Sequence, residues 1–182
     1  THSASSAASD VYKRQSSDSV DSSDETPVII ETGLKDLATS KGKFIGNLMR
    51  DGFFDNHDIY NGAIDNILKT EYNALVTGNK LKMVNLLRDR PEDPFNIKIS
   101  DLNTYNIDRF VNYANKHNMK KRGHVMIWYK QIPNWLDEES KTWTSQQIYD
   151  FTESYIRALS RYTNGKIDEW DVLNEAIVFN GY

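Results

Sequence analysis

The side chains best suited to chemistry follow three short apolar runs of the sequence. Asn174 and Glu175 come directly after the apolar run that ends at Leu173. A glutamic acid at such a position can give or take a proton, and the amide beside it can hydrogen-bond a ligand hydroxyl group. Because an Asn-Glu pair is common in solvated loops, this pair by itself does not establish a catalytic site.

Two further segments, 76–82 and 123–135, add polar and aromatic side chains. Together with the amide beside Glu175, the candidate binding residues are Asn79, Lys82, His124, Trp128, Gln131 and Asn174. The tryptophan offers a flat apolar face for stacking, and the other side chains offer hydrogen bonds. Each also has a plain structural interpretation, either as part of the core, for His124 and Trp128, or as part of a solvated loop.

Four strand-like runs position these segments. The runs alternate with helical patterns, with strands expected at 44–48, 74–76, 121–128 and 167–173 and helices at 34–38, 59–68, 102–116 and 144–162. Because helices connect the strands, we expect the strands to be parallel, with right-handed crossovers. The carboxyl ends of parallel strands share one edge of a sheet, so the polar segments should meet there.

Two of the helical patterns carry apolar stripes and capping signals. For the helix 102–116, Asp101 is the expected N-cap and the inward stripe is Ile107, Phe110, Val111 and Ala114. For the helix 144–162, Thr144 and Gln147 are the expected capping pair and the inward residues are Ile148, Phe151, Tyr155, Ile156 and Leu159. Asn164 and Gly165 should end this second helix.

The pattern predicts an α/β fold, the first half of a (β/α)8 TIM barrel. Residues 1–26 hold nine Ser, four Asp and one Glu, so we expect a disordered tail, of which 1–15 resembles an assembly scar. The partial barrel domain then comprises residues 27–182. A closed eight-stranded barrel needs at least about 200 residues, more than the 156 that remain of the 182.

Composition and charge exclude several classes of protein. The chain has 38% hydrophobic and 26% charged residues, which is typical of a globular domain. A membrane span needs about 18 consecutive apolar residues, and no apolar stretch of this sequence approaches that length. The net charge of -4, without a basic cluster, argues against a nucleic-acid partner. The absence of cysteine excludes disulfides and thiolate metal sites.

The segments 123–135 and 169–176 together resemble glycoside hydrolase family 10, the retaining endo-β-1,4-xylanases. The first segment is close to the family pattern Gly-His-x-x-x-Trp-His-x-Gln-x-Pro-x-Trp, and the second is close to Trp-Asp-Val-Val-Asn-Glu-Ala. A third segment, 76–82, is similar to Thr-x-Glu-Asn-Glu-Met-Lys. The resemblance runs from residue 42 to residue 176 and covers the N-terminal half of the family's barrel.

The resemblance implies a role for each candidate residue. Glu175 is implied as the acid/base and Asn174 as the residue that binds the sugar hydroxyl beside the anomeric carbon. His124, Asn79 and Lys82 are implied as donors to xylosyl units. Two further residues, Trp128 and Gln131, are implied as a stacking surface and as a neighbour of the acid/base. The implied substrate is xylan or xylo-oligosaccharide, with no cofactor and with a monomeric full-length protein.

Retaining cleavage of a glycosidic bond needs two carboxyl groups, about 5 to 5.5 Å apart. The resemblance implies that the second is a glutamate on strand seven, outside this chain, so we expect the chain alone to be inactive. It also places Asp51, Asp55 and Asp58 in the first loop, at the rim. A proton donor needs a raised pKa, and without the second carboxylate Glu175 lacks the main cause of one.

Three positions depart from the family pattern. Gly78 and Lys80 stand where the family usually has glutamates, and Tyr129 stands where it usually has a histidine. These departures leave open a non-catalytic polysaccharide-binding barrel derived from the same family. Another barrel hydrolase of the same clan is the third alternative, because the clan shares the Asn-Glu pair of strand four.

The substrate class also implies a location. Xylan is a polymer too large to enter a cell, so we expect the enzyme to be extracellular, at the cell surface or periplasmic. The given sequence contains no signal-peptide pattern.

Overall fold

The computed structural model describes residues 33–54 and 62–177, which include a four-stranded parallel sheet. The strands are β1 Gly46–Met49, β2 Ala74–Thr77, β3 Lys120–Gly123 and β4 Glu169–Trp170. They lie in the order β1-β2-β3-β4, and each neighbouring pair is parallel. This confirms the α/β half barrel that the sequence predicts. The predicted disordered tail and the domain boundary after residue 26 lie outside the described residues.

Helices connect the strands and cover the sheet. They are α1 Leu34–Ser40, α2 Asp51–Phe54, α3 Ala63–Glu71, α4 Met83–Leu86, α5 Tyr105–Lys116, α6 Asn134–Glu139 and α7 Ser145–Thr163. Short 3-10 helices occupy Ile99–Asp101 and Ser140–Thr142. The sequence pattern missed the short helices α2, α4 and α6, and it placed the start of α3 at residue 59, outside the described residues. Among the helices described, none is long and apolar enough to span a membrane.

The apolar stripes of the two long helices form much of the core. The four predicted residues of α5 are all buried. In α7, Phe151, Tyr155 and Leu159 are buried and Ile156 is partly buried against them. The prediction for Ile148 was wrong, because its side chain is 42% exposed in the first turn of α7, beyond the buried part of the stripe.

Helix capping follows the prediction in one case and departs from it in the other. Thr144 Oγ1 accepts a hydrogen bond from the Gln147 backbone N–H at 3.2 Å, and Gln147 Oε1 accepts one from the Thr144 N–H at 2.9 Å. The Asp101 cap was wrong: Thr104 precedes α5 instead. Asp101 accepts a hydrogen bond from the Lys98 N–H at 2.8 Å, and this local bond closes a separate turn.

The predicted strand boundaries shift, most of all at the carboxyl edge of the sheet. β1 begins two residues later than expected, and β3 and β4 end at Gly123 and Trp170, well before the predicted residues 128 and 173. The segments that follow β3 and β4 pair again where Ile127 faces Leu173. From Gly123 to Ile127 there are four steps, but from Trp170 to Leu173 there are three, so the segment after β3 holds one extra residue, a bulge. His124 therefore lies in the bulged segment and not in a strand.

Candidate active site

The predicted site residues collect at the carboxyl edge of the sheet. Asn79 and Lys82 follow β2, His124 follows β3 directly, and Glu175 lies beyond β4. This is the edge at which parallel barrels build their active sites. The common location agrees with the sequence-based expectation.

A buried lysine joins the residues that follow β2 and β3. Lys82, which is 8% exposed, donates from Nζ to Asn79 Oδ1 at 2.9 Å and to Gln131 Oε1. Gln131 Nε2 also donates to Asn79 Oδ1, at 3.1 Å. Lys82, Asn79 and Gln131 therefore form one hydrogen-bonded group, which we call the lysine cluster.

Trp128 connects the lysine cluster to Glu175. Its indole N–H donates to Glu175 Oε2 at 2.9 Å, and Lys82 Nζ lies 4.6 Å from the centroid of its ring. Lys130 adds a second cation, with Nζ 3.9 Å from Glu175 Oε2. The carboxylate is about half exposed, with 49% of its side-chain surface accessible. Five of the seven predicted residues are thus in one contact network.

The surroundings of Glu175 favour its ionised form. The hydrogen bond from Trp128 is the largest influence and lowers the pKa of Glu175, while burial, the second largest, raises it. A hydrogen bond from Tyr129 and the charges of Lys130 and Lys82 lower this pKa further. In this chain Glu175 is therefore a base and a hydrogen-bond acceptor near neutral pH. That direction is the one expected for an acid/base group without a second carboxylate beside it.

Removing the indole donor should change this titration. In Trp128→Phe the largest cause of the lowered pKa is lost, so we expect the pKa of Glu175 to rise toward the usual glutamate range. The measurement is a carbon-detected NMR titration of the Glu175 carboxyl group in this chain. Trp143→Phe is the matched control, because that indole packs against Phe95 and Phe151. An unchanged Glu175 titration in Trp128→Phe would contradict the assignment.

Lys82 is held in its buried position by charge as well as by hydrogen bonds. Burial is the largest influence on the pKa of Lys82 and lowers it, while the carboxylates of Asp51 and Glu175 raise it in part. The ammonium group is therefore under the influence of two carboxylates at the site. It can donate hydrogen bonds to hydroxyl groups that enter the cleft.

His124 belongs to a separate group at the same edge. Its Nδ1 lies 2.8 Å from Asp171 Oδ2, and Arg122 donates to Asp171 Oδ1. A carboxylate only accepts hydrogen bonds, so Nδ1 carries the proton and Nε2 remains for a ligand. Burial is the largest single influence on the pKa of Asp171 and raises it, but the hydrogen bonds from Arg122 and His124 and the charge of Arg122 together lower it. Sequence reasoning missed Asp171 as the partner of His124, although it is part of the Trp-Asp-Val pattern.

Asn174 is anchored through its backbone. Its N–H donates to the carbonyl oxygen of Ile127 at 3.0 Å, across the bulged end of the sheet. Among the described residues, no hydrogen bond of its side chain links it to the other predicted residues. Its role as a sugar ligand stays a prediction.

Two site residues adopt the left-handed backbone region. Gln131 has φ 52° and Glu175 has φ 51°. Non-glycine residues are uncommon there, and such conformations concentrate at functional sites. Gln131 is held in place because its carbonyl oxygen accepts a 3.0 Å hydrogen bond from the Val84 N–H.

Asp51 is a second residue that sequence reasoning did not assign to the site. Its Oδ1 accepts a hydrogen bond from the Asn79 N–H at 2.9 Å, and its Oδ2 accepts one from Asn79 Nδ2 at 2.8 Å. Nothing in the sequence pattern signalled these bonds, because they join residues that are 28 positions apart. The predicted rim residues Asp55 and Asp58 lie outside the described residues. In the part of the chain that is described, no group of three potential metal ligands occurs.

The four parallel strands, their helical connections and the carboxylate at the carboxyl edge define the class as part of a (β/α)8-type barrel. The chain belongs to glycosyl hydrolase family 10, whose profile matches residues 33–181.

Curated relatives and solved structures agree with this assignment. Endo-1,4-beta-xylanase B of Thermotoga neapolitana is 27% identical over 118 residues, which are 63% of this chain and 30% of that protein. Endo-1,4-beta-xylanase A of Xylanibacter ruminicola is 37% identical over 79 residues, which are 42% of this chain and 21% of that protein.

Among solved structures, native xylanase 10B from Thermotoga maritima matches with a TM-score of 0.70 and 23% identity, over 82% of this chain and 42% of that one. GH10 from Paenibacillus barcinonensis matches with a TM-score of 0.61 and 25% identity, over 76% of this chain and 37% of that one. The chain spans less than half the length of these relatives. It matches their barrel fold over that part.

Proposed function

We propose that the protein is a retaining endo-β-1,4-xylanase in which Glu175 is the acid/base. The observation that carries this proposal is the hydrogen bond from Trp128 to Glu175, which places a carboxylate beside the lysine cluster at the carboxyl edge of the sheet. A carboxylate, an aromatic face and convergent hydrogen-bond donors are what a glycoside-cleaving cleft needs. Family membership supports the same reaction class.

The proposed reaction has two steps. In the first, the protonated Glu175 gives its proton to the departing glycosidic oxygen, while a second carboxylate attacks the anomeric carbon and forms a glycosyl ester. In the second, the ionised Glu175 takes a proton from water, and that water breaks the ester and restores both carboxyl groups. We propose that the second carboxylate lies outside this chain and that the chain alone does not turn over substrate.

The pKa of Glu175 links this mechanism to the described geometry. Trp128, Tyr129 and two lysines favour the ionised form, which is the form needed in the second step. A second carboxylate about 5 to 5.5 Å away would favour the protonated form needed in the first step. When that carboxylate becomes an ester its charge is lost, so the lysines and the indole then dominate. The described donors thus suit the base half of the cycle.

The lysine cluster supplies the proposed binding surface. Lys82 can donate to sugar hydroxyls, and the amides of Asn79 and Gln131 can donate and accept. His124, through Nε2, would bind a sugar in the subsite before the cleaved bond, and Asn174 would bind the hydroxyl beside the anomeric carbon. Because its substrate is a polymer, we propose that the enzyme works outside the cell or in the periplasm.

The stereochemistry of the product tests the proposal directly. The complete protein should hydrolyse xylan and release β-configured reducing ends first, as proton NMR of the early reaction would show. Release of α-configured ends would rule out a retaining mechanism. The alternative is a non-catalytic barrel, which the departures at Gly78, Lys80 and Tyr129 favour. Such a protein would bind xylan without releasing reducing ends.

A further inference from the structure

Gly78 lies against a carboxylate that another part of the chain supplies. A Cβ atom at position 78 would lie 3.3 Å from Asp51 Oδ1 and 3.8 Å from Leu48 Cδ2. This close approach occurs where β1 and β2 end together, since the Gly78 N–H donates to the Met49 carbonyl at 3.1 Å. Asp51, the first residue of α2, therefore holds its carboxylate where a side chain at position 78 would begin.

Asp51 also determines which way the Asn79 amide faces. A carboxylate only accepts hydrogen bonds, so its 2.8 Å contact must be with the Asn79 amide nitrogen. Asn79 Oδ1 then faces the opposite way, where it accepts from Lys82 at 2.9 Å and from Gln131 at 3.1 Å. Lys82 only donates hydrogen bonds, so it favours the same orientation of the amide from the other side. The Asp51 carboxylate and the Lys82 ammonium group thus hold the Asn79 amide between them.

Asp51 keeps capacity for a ligand after making these bonds. A carboxylate offers about four lone-pair positions, and the described residues use one on each oxygen. Asp51 is a half-buried residue, so part of its surface remains accessible. Its charge acts on Lys82, which shows that it lies within electrostatic reach of the binding surface.

We propose that Asp51 is a substrate-binding carboxylate, which accepts hydrogen bonds from sugar hydroxyls at the edge beside Gly78 and positions Asn79 for the same sugar. It replaces, from the end of β1, an acceptor that the chain lacks after β2. The proposal rests on the proposed function, because the ligand is a xylo-oligosaccharide in both. It assigns Asp51 to binding and leaves the proton transfer to Glu175.

Removing the Asp51 carboxylate, and then supplying one from position 78, tests this assignment. In the complete protein, Asp51→Ala should weaken xylotriose binding by about tenfold or more, the loss expected for a charge-assisted hydrogen bond. Binding is measured by calorimetry in a Glu175→Gln background, and KM and kcat on xylan are measured without that change. We expect KM to rise more than kcat falls. Asp51→Asn should weaken binding as well, since an amide NH2 group would replace one of the two oxygens that accept from Asn79.

The double variant Asp51→Ala/Gly78→Glu should recover most of the lost affinity. Its glutamate, which follows β2, returns a carboxylate to the place that the Asp51 carboxylate had occupied. Gly78→Glu alone should not improve binding, because its Cβ would crowd Asp51 at 3.3 Å. Asp36→Asn is the control for a lost charge, since that residue is exposed on α1. Recovery through position 78 would show that Asp51→Ala had lost a ligand contact, whatever its effect on folding.

The failures of the two proposals are distinguishable. If the protein with Asp51 intact neither binds xylotriose nor hydrolyses xylan, the proposed function fails. If that protein does both while Asp51→Ala binds xylotriose equally well, only the Asp51 proposal is overturned. The Asp51 proposal is likewise overturned if Asp51→Ala weakens binding and the double variant Asp51→Ala/Gly78→Glu restores none of the lost affinity.

Discussion

The complete protein carrying Glu175→Gln should hydrolyse xylan at least about 10²- to 10⁴-fold more slowly, the usual contribution of a positioned acid or base. Glutamine preserves the size of the side chain, and its amide oxygen can still accept the hydrogen bond from the Trp128 indole. It cannot donate an acidic proton to the departing oxygen. Binding of xylo-oligosaccharide should therefore stay largely intact, as calorimetry would show.

The leaving group separates loss of acid catalysis from a general loss of structure. A nitrophenyl xylobioside releases a phenolate that needs little protonation, so Glu175→Gln should slow bond cleavage of this substrate far less than that of xylan. Glu138→Gln is the control, because that carboxylate is exposed on α6 and pairs with Lys141. Undiminished xylan turnover by Glu175→Gln would eliminate the acid/base assignment.

The second large effect concerns stability, and we expect Gly123→Ala to destabilise the fold by about 3 kcal/mol or more, at the upper end for overpacked sites. A Cβ at position 123 would lie 2.3 Å from two carbons of the Trp170 ring and 2.6 Å from a third. The two residues are direct partners in the β3 and β4 ladder, so either the backbones must separate or the ring must leave its place. Urea denaturation followed by circular dichroism measures the loss.

A second strand glycine provides the matched comparison. At Gly46 a Cβ would lie 3.4 Å from the Ala74 Cβ, which is an ordinary contact, so Gly46→Ala should change stability little. Adding Trp170→Leu to Gly123→Ala removes the ring that collides and should recover part of the stability. Equal stability of Gly123→Ala and the unchanged chain would show that the indole does not occupy this space.

The order of elements could be predicted because its signals are local. Apolar residues at helical spacing identified the buried stripe of α5, and a capping hydroxyl with a glutamine three residues later identified the start of α7. Helical connections between strand-like runs are enough to require a parallel sheet. The motif segments then fall at its carboxyl edge, so the approximate location of the site also follows from sequence.

The details that govern chemistry depend on contacts between distant parts of the chain. The bulge after Gly123, the bond from His124 to Asp171 and the bonds from Asn79 to Asp51 each join residues 28 to 47 positions apart. No local pattern encodes such pairs, because they depend on how far each strand extends before its ladder ends.

The sequence by itself therefore determined the parallel half barrel, the family and the approximate location of the site. Only the tertiary structure decided which residues touch there and which groups lower the pKa of Glu175. The physical reason is that periodicity and capping act within a few residues, whereas hydrogen bonding and charge act through space.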